Sequence, residues 1–158
     1  MMNKINFKII FYLFGVLLLF NAGFMFLSAL VSLILKDGIT LEIISAGTIV
    51  FIFGLILMLI NKNHEKHIQK REGFLIVTFG WVLMIFSGMM PYLITDTIPQ
   101  ISFAFFETTS GYTATGSSIL NDIESLPKSI IFWRSTTHWI GGMGCLLYTS
   151  DAADEEAS

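Results

Sequence analysis

Whatever chemistry this chain performs rests on three ionisable side chains and one polar loop. Glu107 stands among apolar residues in QISFAFFETTSG, and Arg134 and His138 stand in KSIIFWRSTTHWIGGMG. A carboxylate or guanidinium in apolar surroundings is costly alone and is usually paired. Glu107 is therefore predicted to pair with Arg134 and to brace the loop beside it. His138 follows one helical turn after Arg134 on the same face, where it is read as a packing or hydrogen-bonding residue. The loop is TATGSS, Thr113 to Ser118. Its chemistry is that of oxygen ligands. A dehydrated cation needs a ring of oxygens in place of its water shell, and backbone carbonyls supply them. Successive carbonyls converge on one axis only if the chain leaves β geometry, and Gly116 can take positive φ without steric cost. Thr113, Thr115, Ser117 and Ser118 add hydroxyls. A tight Ser/Thr/Gly turn holding no ion is the plainer reading of the same residues.

The elements that must position these groups are membrane helices. The chain has 158 residues, of which 54% are hydrophobic and 13% charged, against about 25% charged in soluble domains. Its mean hydropathy is +0.72. No charge occurs from Ile9 to Leu35 or from Gly73 to Thr95, and about 20 residues at a rise of ~1.5 Å cross the hydrocarbon core. Spans are predicted over 9–35, 43–60 and 73–94, with Asn21 making a polar contact to a neighbouring helix and Gly47 and Gly54 permitting close approach. Pro91 is expected to be tolerated and to kink the third span. Residues 100–111 have a helical pattern but reach only about 18 Å, a little over half the bilayer. A further apolar helix begins after Pro127, with Trp133 and Trp139 as packing or interface residues and Gly141 to Gly144 allowing close packing. A half-length helix followed by irregular backbone survives at membrane depth only if protein buries it or it lines a watery path.

Lysine and arginine set the orientation. Two lie before residue 9, one in the 36–42 turn, four between 62 and 71, and none from 95 to 127. The N-terminus is predicted to be cytoplasmic, with the half-length helix entered from outside. His64 and His67 have ligand-like spacing in the charged 61–72 segment, but lack a third ligand and read as part of a solvated loop. Cys145 is the single cysteine, so no intrachain disulfide can form. Tyr148 to Ser158 are polar and acidic where an apolar helix should continue, so 145–158 read as a non-native adapter-encoded tail, with a genuine acidic tail as the alternative.

The stretches REGFLIV (71–77), FFETTSGYTATGSS (105–118) and LPKSIIFWRSTTHWIGGMG (126–144) resemble the opening of a Trk/Ktr-type potassium-uptake subunit, over about residues 5–144. The resemblance implies an all-α transmembrane fold with two N-terminal spans (1–72), then one span–pore-helix–span unit (73–144) cut within its second span. The parent would have four such units around a pore. It implies Gly116 as the filter glycine, with Thr113, Ala114, Thr115 and Ser117 offering carbonyls to the ion. It further implies a homodimer in a bacterial cytoplasmic membrane, a cytosolic nucleotide-binding regulatory subunit, and no cofactor beyond a permeant cation, potassium first and sodium as the rival. One unit supplies a quarter of a carbonyl ring and should not conduct alone. Three other readings stand beside this one. The first is a secondary transporter with a broken-helix substrate site near the midplane. The second is a small helical membrane protein with no conduction of its own. The third is a membrane-embedded enzyme built on Glu107, Arg134 and His138. The enzyme reading is set aside because the sequence has no metal-ligand cluster, nucleophile–base pair or phosphate loop.

Overall fold

The computed structural model describes residues 6–62, 70–120 and 122–156, with side chains described for 6–62, 71–120 and 122–144. All regular structure among them is helical: α1 (Phe7–Leu35), α2 (Thr40–Ile60), α3 (Lys70–Gly88), α4 (Met90–Ile94), α5 (Ile101–Tyr112) and α6 (Lys128–Glu156). The segments Phe7–Leu35, Thr40–Ile60 and Arg71–Ile94 are long and apolar enough to cross a membrane. Much of their surface is exposed leucine, isoleucine and phenylalanine. Such a surface is stable against lipid, so the chain is a multi-pass membrane protein.

Helices α1 and α2 form an antiparallel hairpin. Lys36, in the left-handed region at φ 56°, closes α1, and its N–H returns to the Ser32 carbonyl. Lipid gives two apolar helices little reason to associate, so close van der Waals packing must do it. A Cβ placed on Gly15 would lie 2.7 Å from both the Gly54 carbonyl oxygen and the Met58 nitrogen. The two backbones therefore touch where the glycines face each other.

The third span is broken at Met89, and α4 starts with Pro91 in its first turn. Proline has no N–H to continue the ladder. Trp133, fully buried on α6, donates its Nε1–H to the Gly88 carbonyl at 3.0 Å. An indole N–H thus caps the end of α3. Trp139 is exposed and meets the edge of Phe24.

Helix α1 is the central strut. It packs on α2, α3 and α6, while α5 lies between α3 and α6. The core around Leu18, Met25, Ile43, Tyr92, Ile130 and Trp133 draws on α1, α2, α4 and α6. The N-terminal hairpin is thus packed into the unit that follows it. Two polar bonds fix α6 to this hairpin. The Asp37 carboxylate, in the α1–α2 turn, accepts the Ser129 N–H at 2.7 Å, and Ser28 donates to the Ser129 carbonyl at 2.7 Å. The first turn of α6 is capped from 92 residues away. The backbone of 145–156 continues α6 without a break.

Candidate functional site

Helix α5 carries threonines and serines in an apolar setting without leaving them unpaired. Thr108, Thr109 and Thr113 return their hydroxyls to carbonyls one turn back, at 2.7, 2.7 and 2.8 Å. The helix then ends in a Schellman motif. The Ala114 N–H bonds to the Gly111 carbonyl at 2.9 Å and the Thr115 N–H to the Ser110 carbonyl at 3.0 Å. Such a motif needs a left-handed residue after the cap. Here that residue is Ala114, at φ 53°, where glycine is usual. Gly116 follows at φ 80°. The sequence shows why Gly116 is permitted there, but it does not mark Ala114, which carries a local cost of about 1–2 kcal/mol. Backbone held in such regions concentrates at functional sites.

Residues 113–118 are all exposed on the surface of the chain, and a Cβ on Gly116 would meet nothing within 4 Å. Thr113 and Thr115 share a hydroxyl–hydroxyl bond of 2.7 Å. Ser110 donates its hydroxyl to the Ser117 carbonyl at 2.5 Å, so one lone pair of that oxygen is already engaged with α5.

The return limb of the loop is held by a carboxylate. Glu107 is 0% exposed. Arg134 Nε donates to its Oε1 at 2.6 Å, with the Arg134 side chain 16% exposed. The same carboxylate accepts the Ser118 hydroxyl at 3.1 and 3.0 Å and the Ile119 N–H at 3.1 Å. Glu107 therefore ties together α5, α6 and the residues that follow Ser117. A carboxylate can accept about four hydrogen bonds. That capacity is the signal that a buried glutamate would recruit partners beyond one arginine.

The outgoing limb is held differently. Tyr112, the last residue of α5, donates its hydroxyl to Asn21 Oδ1 at 2.6 Å. Asn21 Nδ2 in turn donates to Ser87 Oγ at 2.7 Å. The helix that Asn21 contacts is thus α3, and the loop-bearing α5 joins through the tyrosine, which the sequence did not single out. Beside it, a Cβ on Gly141 would lie 2.7 Å from the Tyr112 carbonyl carbon, so α6 meets the end of α5 backbone to backbone. Gly142 has open space and Gly144 faces the Trp81 ring. His138 is half-buried near Gly111, and its Nε2 is buried with no hydrogen-bond partner among the described residues. His64 and His67 lie outside the described residues.

The class this arrangement defines is a multi-pass helical membrane protein whose half-length helix ends in an oxygen-rich, partly left-handed loop. The sequence model of the TrkH family, described as cation transport protein, matches residues 39–149. The chain belongs to that family. It is 34% identical over 144 residues to the Trk system potassium uptake protein TrkH of Vibrio parahaemolyticus, across 90% of this chain and 30% of that protein. The protein of the same name in Escherichia coli K12 is 33% identical over the same shares. An uncharacterized cation transporter of Methanocaldococcus jannaschii is 31% identical over 84% of this chain and 31% of its own length. The crystal structure of the V. parahaemolyticus potassium transporter TrkH superposes with a TM-score of 0.82, covering 89% of this chain and 30% of that one. The chain thus spans about 30% of the length of the relatives it matches.

Proposed function

We propose that this chain forms the first ion-coordinating unit of a potassium-uptake transporter, with 73–144 as span, pore helix, filter loop and second span, and 1–72 as its supporting hairpin. The acidic tail 145–158 is assigned no role. The observation that carries this reading is the loop 113–118. It is exposed, lined by hydroxyls, turned by left-handed residues at 114 and 116, and tied down by a buried carboxylate. Irregular backbone of this kind cannot face lipid, so in the membrane it faces water or other protein. Carbonyls of Thr113, Ala114, Thr115 and Gly116 are the ligands we assign. Ser117 contributes less, because its oxygen already accepts from Ser110. The C-terminal, negative end of α5 lies beside the loop and favours a cation there. Three further units complete the ring in the whole transporter. Potassium is the assigned ion because relatives over this same stretch are named for potassium uptake, and no enzymatic step is part of the reading. The whole protein is assigned to a bacterial cytoplasmic membrane with its N-terminus inside. A homodimer and a cytosolic nucleotide-binding regulator are the partners that belong to this assignment.

The test is cation uptake by cells that lack their own potassium transporters and express the complete transporter carrying this unit. Potassium or rubidium uptake is expected, and Gly116→Val should reduce it sharply while leaving protein in the membrane. Uptake unchanged by Gly116→Val refutes the filter assignment. Saturable uptake of an organic or anionic solute instead establishes the broken-helix transporter reading.

A further inference from the structure

The loop has two ends, and the Glu107–Arg134 pair explains only one. We propose that the buried Tyr112–Asn21–Ser87 chain is a positioning device that sets the rotation of the last turn of α5, so that ion discrimination at the loop depends on α1. This rests on the filter reading above. Tyr112 immediately precedes Thr113, the first residue assigned to the ion. Its side chain is buried, its hydroxyl donates to Asn21 Oδ1 at 2.6 Å, and Asn21 itself is 0% exposed. The chain of donors runs one way. Asn21 donates to Ser87 Oγ at 2.7 Å, and Ser87 donates to the Met84 carbonyl at 3.1 Å. The Tyr112 hydroxyl and the Asn21 amide would otherwise stand unpaired in an apolar core, so the bonds that join α5, α1 and α3 favour this one arrangement.

Packing closes around the tyrosine as well. A Cβ on Gly88 would lie 2.7 Å from Tyr112 Cε2, and the Trp81 ring meets it edge-on at a centroid distance of 6.2 Å. Behind it, the Tyr112 main chain abuts Gly141. Helices α1, α3 and α6 therefore each touch the residue that launches the loop. Carbonyl ligands discriminate ions through the number and strength of dipoles at the site. Their placement must hold to within about 0.5 Å, and a hydroxyl anchored one residue upstream supplies that constraint.

The experiment uses the complete transporter carrying Tyr112→Phe, Asn21→Leu or both. It measures potassium and sodium uptake per molecule of protein in the membrane. Each single variant should lower the potassium-to-sodium ratio about fivefold, the equivalent of one hydrogen bond. The double variant should do no more than Asn21→Leu alone, because that substitution already removes the tyrosine's bond together with the one to Ser87. Ser87→Ala, which keeps the tyrosine and asparagine, should shift the ratio in the same direction and covers the case of variants that do not reach the membrane. The proposal is overturned if the variants change only protein amount and leave the ratio alone, or if the single effects multiply. Absence of any cation flux in the unmutated transporter would instead refute the filter reading itself.

Discussion

Replacing Glu107 by glutamine keeps shape and volume and removes one charge. The carboxylate now accepts from Arg134 Nε at 2.6 Å, from Ser118 Oγ at 3.0 and 3.1 Å, and from the Ile119 N–H at 3.1 Å. A glutamine has one acceptor oxygen. Either its amide group faces Arg134, donor against donor, or it faces the Ile119 N–H with the same result. The Ser118 hydroxyl can rotate to accept, but an N–H cannot. Removing one partner of a buried ion pair costs about 3–5 kcal/mol, because the other charge is stranded. Arg134 is 16% exposed and keeps some access to water, so the lower end, about 3 kcal/mol, is expected. That is a large share of the 5–15 kcal/mol typical of a folded domain. The purified transporter should melt at lower temperature in detergent, and uptake per molecule should fall because Ser118 and Ile119 lose their common anchor. Glu107→Gln combined with Arg134→Met removes the stranded charge as well. It should recover most of the stability but not the uptake. If Glu107→Gln alone melts and transports like the parent, the carboxylate does not brace the loop and the reasoning fails.

Three further outcomes are expected. Gly141→Ala should abolish folding or lower stability severely, since its Cβ would press on the Tyr112 main chain, whereas Gly142→Ala should be neutral because nothing lies within 4 Å; comparing membrane yield of the two tests the backbone contact between α5 and α6. Asp37→Ala should cost about 1 kcal/mol through loss of the cap on Ser129, and Asp37→Asn, which retains an acceptor, distinctly less, as melting temperatures will show. Ala114→Gly should stabilise the loop by about 1 kcal/mol, because alanine at φ 53° carries a steric cost that glycine does not; a lower melting temperature in that variant would refute the strain.

Several features were legible in the sequence because their cause is local. The three spans follow from uninterrupted apolar runs, and the half-length α5 follows from a run too short to cross. Gly116 was readable as a positive-φ residue because only glycine takes that conformation freely. Ala114 was not, since nothing in an alanine announces a left-handed backbone; the Schellman bonds to Ser110 and Gly111 impose it. Pro91 marks a kink in the sequence itself, but the capping of that break by the Trp133 indole is invisible there, because the donor sits on another helix. Glu107 and Arg134 could be matched because two opposite charges in apolar sequence have few other partners.

By itself, then, the sequence determines an all-helical membrane chain with a polar loop after a half-helix. Transfer of a segment into lipid is summed over contiguous residues and needs no knowledge of neighbours. Apart from the Glu107–Arg134 pair, only the tertiary structure decided which polar groups complete one another. Tyr112 meets Asn21 across 91 residues, Asp37 caps Ser129 across 92, and Ser118 and Ile119 share the carboxylate of Glu107. A serine or asparagine carries several hydrogen-bonding options, and only the packing of α1 against α3 and α6 selects one.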